Sequence, residues 1–341
     1  MAGGHIDMKR FEIKQLQRMM VLCLTLQVFV VSGIFAKINM IALMPQDKQF
    51  LQVIDGMRSE FDANYKIDIV PMTMSTKADD VVLICKKVDA RALILMDVDA
   101  ISMVKELQAH DNFFATIPKF VFMTLQVEAT TEGLLNVAGI RYEVPTYTLV
   151  TNFRIISQKD VSKVGIFYRQ SFSSSVEEAK RMLEKEKISI NAVCVDCENN
   201  GKATVEKALS VMEQSVNKMI KEQGTEAFLV LADNLILNNT SLNDFWIGKV
   251  KKTKVPVIAP FELLASKKVS LAVFAADPDL SQQGAQGANQ IYEYFENGSS
   301  LEAIGFEPTI SIKSILNESV AKELGWKLKS EKLGRVNLIV K

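Results

Sequence analysis

The chain has 341 residues, with 40 basic and 40 acidic side chains, four cysteines and two histidines. That charge balance removes the electrostatic footprint of a nucleic-acid binder and of a polybasic membrane surface. So few histidines exclude multi-histidine metal centres and argue against a histidine-based catalytic triad. Taken in chain order, the first feature is a basic opening with Lys9, Arg10, Lys14 and Arg18. An uncharged run, MVLCLTLQVFVVSGIFA, then covers residues 20–36. Basic residues ahead of an uncharged apolar run are the pattern of an export signal. Residues 19–36 are therefore expected to carry the chain out of the cytoplasm. Cleavage wants small residues at the third and first positions before the cut. A cut after Ala36 has Ile34 three positions back, and a cut after Gly33 has Val31. The run also approaches the length that spans a bilayer. The expectation is a signal peptide or uncleaved anchor over residues 1–36. The rest is expected to be periplasmic or otherwise extracytoplasmic, either released or held by residues 19–36.

From residue 37 onward, short apolar runs alternate with longer amphipathic ones. Strands are expected at 38–44, 66–72, 91–96 and 119–125, with helices at 46–64, 77–90 and 102–110 between them. The segment 139–158 shows no clear helical period and reads as a connection. The alternation then restarts, with strands at 163–169, 189–195, 227–232 and 255–260. Helices are expected between and after them at 173–187, 202–223 and 241–253. A shorter tail adds strands at 269–276 and 307–313 and helices at 280–298 and 316–328. This is the signature of parallel sheets covered by helices. The expected fold class is α/β, with two Rossmann-like lobes. One lobe covers 37–150, completed by about 277–305. The other covers 151–276, completed by about 306–341.

Catalytic motifs are missing from the sequence. There is no G-x-S-x-G, H-E-x-x-H or G-x-x-x-x-G-K-[ST], and no strand-to-helix turn carries G-x-G-x-x-G. His110 closes a helical run, where a cationic residue is ordinary. Gly284-Ala-Gln-Gly287 opens a helix, and small residues there serve close helix packing. Cys194 and Cys197 form a C-x-x-C on a strand-like run with no second pair for zinc. On an extended strand, positions three apart face opposite ways, so direct bonding needs a turn. Beyond Cys23, the odd count of Cys85, Cys194 and Cys197 argues against a disulfide framework. No enzyme activity, cofactor or metal is expected.

In parallel α/β sheets, ligands meet the loops at the C-terminal strand ends. The groups there are candidates for one interlobe site. They are Met44 and Gln46 after the first strand, Asp97 after the third, and Gln126 and Glu128 after the fourth. The second lobe offers Tyr168, Ser171, Ser173 and Ser174, then Asp233 and Asn234, then Phe261 and Glu262. Asp279 precedes the late helix. Ser174 with Glu177, or Ser175 with Glu178, reads as a capping box. The same helix start suits a carboxylate, while Asp233 and Glu262 suit an ammonium group.

These residues carry a family resemblance from residue 163 to the end. The segments are KVGIFYRQSFSSSVEEAKRMLEK, EAFLVLADNLILNN, KVPVIAPFELLASKKVSLAVFAADPDLSQQGAQGA and SIKSILNESVAKELGWKL. They resemble the ABC transporter substrate-binding proteins of the tryptophan/tyrosine-type group. The matching points are Asp233-Asn234 at the middle strand end, Asp279 before Gly284, Asn317, and Ala321 to Gly325. Arg169-Gln170 stands where the family usually has Asn-Pro, and the first hundred residues match only in element order. The resemblance implies a type I periplasmic-binding-protein fold: two lobes, three crossovers and a hinge closing on a small solute. It implies a monomer that hands an amino acid or other carboxylate to an ABC permease. The alternatives are a membrane-tethered ligand-sensing subunit and, further off, an enzyme on the same fold.

Overall fold

The computed structural model describes residues 37–199 and 201–341. The expected export segment 19–36 lies outside the described residues. Among the described residues, no helix is long and apolar enough to cross a membrane.

The first sheet takes β1 (Ile38–Met44), β2 (Tyr65–Pro71), β3 (Ala92–Met96), β4 (Lys119–Phe122) and β5 (Val137–Arg141). It also takes β11 (Phe306–Pro308), in the order β11-β5-β4-β3-β1-β2, with all pairings parallel. The second sheet is built from β6 (Lys163–Tyr168), β7 (Ser189–Cys194), β8 (Ala227–Leu229) and β9 (Val257–Ala259). It is completed by β10 (Phe274–Pro278), β12 (Ile312–Asn317) and β13 (Leu338–Val340), in the order β13-β12-β10-β9-β8-β6-β7. Within this sheet β10 and β12 pair antiparallel and the other strand pairs are parallel. The fold is the expected two-lobed, mostly parallel α/β architecture.

The strands are apolar on both faces because helices cover both faces. Met40, Ala42 and Met44 of β1 pack with Val53 and Met57 of α1 (Lys48–Glu60). Ile41 and Leu43 face the other way, toward Val81 of α2 (Ala78–Lys87) and Val104 of α3 (Val98–His110). In the second lobe α4 (Thr146–Ile156), α5 (Ser173–Lys185) and α6 (Val205–Lys221) supply the covering faces. The late helix α7 (Leu280–Phe295) returns to the first lobe and lies against α1. Gly56 and Gly284 allow this approach. A Cβ on Gly56 would overlap the Ser281 carbonyl, and one on Gly284 would overlap the Val53 carbonyl.

Three links join the lobes. Tyr142–Pro145 lies between β5 and α4, Asp279 between β10 and α7, and 309–311 between β11 and β12. The first two leave from C-terminal strand ends. The third leaves β11 at its C-terminal end and enters β12, whose antiparallel pairing starts beside the C-terminal end of β10. The links therefore join the C-terminal edges of the two sheets.

Four local expectations are corrected. Segment 139–158 is not a bare connection: it holds the end of β5 and all of α4. Leu149, Val150, Phe153 and Ile156 give α4 a buried face. Its period was masked by three threonines; Thr151, for one, donates to the Tyr147 carbonyl, an exchange that lowers helix propensity. The strand expected at 307–313 is split by the third crossover. No capping box forms at residues 174–178, because α5 starts at Ser173 with Phe172 as its cap and a 3-10 turn, Gln170–Phe172, in front. Finally, Cys194 and Cys197 are disulfide-bonded. β7 stops at Cys194 and a 3-10 turn begins at Cys197, so the chain makes the turn that direct bonding requires.

Candidate functional site: the edges joined by the crossovers

The strand ends place a charged pair at the mouth of the second sheet. Arg169 follows β6, and its Nε lies 2.8 Å from Asp233 Oδ2. Asp233 follows the β8 run; its side chain is only 3% exposed. The backbone N–H of Leu235 donates to Asp233 Oδ1 at 2.7 Å. Burial raises the Asp233 carboxyl from its usual value, while the Leu235 N–H and the Arg169 charge oppose that rise. The carboxylate offered to an ammonium by the sequence is thus already engaged. Arg169 is the group the sequence reading left out. Its signal was visible as the departure from Asn-Pro, and the fold sets its guanidinium against Asp233.

The turn after Arg169 is held from two sides. Ser173 Oγ donates to the Gln170 carbonyl at 2.7 Å. The Gln170 N–H donates to Asp196 Oδ1 at 2.6 Å. Asp196 sits between the two disulfide-bonded cysteines, so the bridge fixes the loop that fixes this turn. Ser171 and Ser174 are exposed, Ser173 is half-buried, and Tyr168 is half-buried at the end of β6.

A second charged group gathers at the crossovers. Glu143 accepts from the Gln126 N–H at 2.5 Å. Burial raises its carboxyl, with the Gln126 N–H opposing. Asp277 accepts from the Glu262 N–H at 2.9 Å. Burial pushes Asp277 up to about 6, and the Glu262 charge adds to the rise. Tyr142 lies near both acids: burial first, then the charges of Asp277 and Glu143, push it to about 12. Glu143 and Tyr142 leave the first sheet, and Asp277 ends the second. Tyr142, on the first link, is thus close enough to Asp277 of the second sheet to feel its charge.

The remaining predicted residues divide by environment. Gln126 sits in the left-handed region, with φ 49°, and its backbone meets Glu143. Glu262 and half-buried Phe261 border Asp277 through the Glu262 N–H. Asn234 is exposed beside Asp233. Met44 is fully buried in the core of the first lobe. Gln46 is exposed in the turn before α1. Asp97 caps α3, accepting from the Val98 N–H at 2.6 Å. Glu128 pairs with Arg141. Asp279 caps α7 and lies 3.2 Å from Lys313 Nζ.

The family model described as "ABC transporter substrate binding protein" matches residues 136–336. No curated protein matches the chain. Among solved structures, one similar chain is a substrate binding protein with adhesive properties from Clostridium difficile, in a ligand-free, open form. It is 15% identical at a TM-score of 0.61, covering 89% of this chain and 99% of its own. A conserved domain protein from Vibrio cholerae is 16% identical at 0.52, covering 89% and 99%. An ABC domain from Streptococcus pneumonia, in complex with L-Trp, is 15% identical at 0.51, covering 89% and 100%. Likeness at such identities establishes the fold.

Proposed function

The chain belongs to the ABC transporter substrate binding protein family, and we propose that its cleft captures a small zwitterion of the amino-acid type for an ABC importer. The family works outside the cytoplasmic membrane and binds solutes rather than transforming them. Its partner is an ABC transporter, here proposed as the membrane permease of an importer.

One observation carries the ligand class: charges of both signs stand at the joined strand edges. The Arg169 guanidinium is one-third exposed beside Asp233 and meets a carboxylate. The acids Glu143, Asp277 and Glu262 on the crossover side meet an ammonium. Tyr168, Phe261 and the Ser171–Ser174 turn complete the proposed wall, with Asn234 beside the charged pair. Met44, Asp97, Glu128 and Asp279 support it from the core, a helix cap and two ion pairs. The complex of the Streptococcus pneumonia relative with L-Trp supports an amino acid as a class that this fold accepts.

The test is a thermal-stability screen of the purified protein with the twenty proteinogenic L-amino acids and short monocarboxylates. A solute that binds only the native state raises the melting temperature with its concentration. At least one amino acid is expected to do so, and the matching monocarboxylate without its amine is expected to do so less. Replacing Arg169→Gln together with Asp233→Asn leaves no buried charge alone. It is expected to weaken the best amino acid about tenfold or more, the loss of one charge-assisted hydrogen bond. Unchanged affinity in that double variant removes Arg169 from the site. No shift with any amino acid contradicts the ligand class.

A further inference from the structure

The Cys194–Cys197 bridge takes no part in the proposed ligand contacts, yet it sits one step behind them. The two cysteines are three positions apart. A bridge over so short a loop restricts the unfolded chain little, so its value as a staple is small. β7 is the outermost strand of its sheet, and neither cysteine is buried. A thiol reagent can therefore reach the pair, which is the access that disulfide exchange requires. Cys85 is the contrast, a free thiol buried in the core of the other lobe.

Asp196, between the cysteines, is 2% exposed. Its Oδ1 accepts from the Gln170 N–H at 2.6 Å. Cys194 Sγ lies 3.6 Å from the same oxygen. In the disulfide that sulfur carries no proton, so it does not compete with Gln170. A Cys194 thiol would carry a proton and would compete for Oδ1. The backbone ties the two segments together as well: the Val195 N–H donates to the Tyr168 carbonyl at 2.8 Å. The Phe172 N–H donates to the Arg169 carbonyl at 2.9 Å, so Arg169 and Gln170 belong to one turn. Bridge, Asp196, Gln170 and Arg169 thus form one series of contacts, and the Asp196 charge is felt at Asp233.

We propose that the Cys194–Cys197 bridge is a thiol–disulfide exchange site, with a dithiol as its co-reactant, and that its redox state controls the turn carrying Arg169. One thiolate of the dithiol attacks Cys197 Sγ. The S–S bond breaks, its electron pair leaves on Cys194 Sγ, and that sulfur takes a proton from solvent. The second thiolate of the reagent then attacks the mixed disulfide and releases Cys197, which is protonated in turn. The bridge gains two electrons and two protons, and the dithiol is oxidised to its own disulfide. The new Cys194 thiol donates to Asp196 Oδ1, the Gln170 N–H loses its sole claim on that oxygen, and the turn loosens. The consequence for solute capture rests on the reading of Arg169 as a cleft residue given above.

The test treats the purified folded protein with dithiothreitol at neutral pH, followed by alkylation and peptide mass analysis. Cys194 and Cys197 are expected to be alkylated while Cys85 stays protected, and oxidised dithiothreitol is expected to restore the bridge. Amide hydrogen exchange without any solute then compares the two forms. Reduction is expected to speed exchange about tenfold at Gln170, the effect of losing one hydrogen bond, and to leave Ile38–Met44 unchanged. The double variant Cys194→Ser with Cys197→Ser is expected to exchange at Gln170 as fast as the reduced protein and to ignore dithiothreitol. Reduction that occurs only together with exposure of Cys85 marks a structural staple and overturns the proposal. Equal exchange at Gln170 in both forms also overturns it. With an amino acid that binds the oxidised form, affinity is expected to fall about tenfold on reduction and to return on reoxidation; equal affinity in both forms overturns the control of the cleft. If no amino acid binds either form, the reading of the cleft fails, and the alkylation and Gln170 exchange decide this proposal alone.

Discussion

Asp277 sits in an environment that its sequence neighbours do not announce. Ala275, Ala276 and Pro278 around it read as strand and turn, yet its carboxyl is buried and pushed up to about 6. In the unfolded chain it titrates near 4. Between those values the folded state holds more protons than the unfolded one, so stability falls as pH rises through that window. Glu143 and Asp233, also raised by burial, tilt the curve the same way. Asp277→Asn isolates one contribution. Relative to the variant, the parent protein is expected to lose at most about 3 kcal/mol between pH 4 and pH 7. Urea midpoints measured at several pH values check this. A difference that does not change with pH would show that Asp277 is not buried as described. At this scale the sequence was partly legible. Asp233 and Glu262 were marked by their place at strand ends, while Arg169 was passed over as a mismatch. Its role depends on Asp233, 64 positions away, and no local pattern reports a partner at that distance.

Among elements, the strand–helix alternation was readable because continuous apolar runs and 3.6-residue periods are strong signals. The exceptions were elements whose identity depends on something remote. α4 opens with Thr146, Tyr147 and Thr148, poor helix formers, and is held by the core it covers. β11 is three residues long and exists as a strand because β5 pairs with it. The Cys194–Cys197 bridge was hidden because counting cysteines says nothing about where a strand stops. The bridge closes a loop of four residues, for which chain-entropy reasoning gives about 2 kcal/mol of stabilisation. Cys197→Ser is expected to lower stability by about that amount. Because Asp196 holds the Gln170 N–H, it is also expected to weaken cleft binding more than an exposed-surface substitution of equal stability cost. Chemical denaturation and solute titration of the same variant measure the two effects. Lost stability with unchanged binding would separate the bridge from the site. Cys85 provides a control: it is buried, and burial pushes its thiol up to about 11, so it stays unreactive toward thiol reagents at neutral pH.

For the whole molecule, the account rests on two lobes joined three times at one edge. That geometry brings the C-terminal strand ends of both sheets to one edge, the placement on which the proposed interlobe capture rests. The charge pattern of the chain said little about it, since a near-neutral total hides the local separation of Arg169 from Glu143, Asp277 and Glu262. Amide hydrogen exchange, with and without the amino acid that most stabilises the protein, tests the central claim most directly. Exchange resolves local opening along the chain. The account predicts that the solute slows exchange together at Tyr142–Glu143, Arg169–Ser174, Asp233–Leu235 and Glu262–Leu264, on both sides of the joined edges. Protection confined to one lobe, or to segments away from all four, would contradict capture in the interlobe cleft.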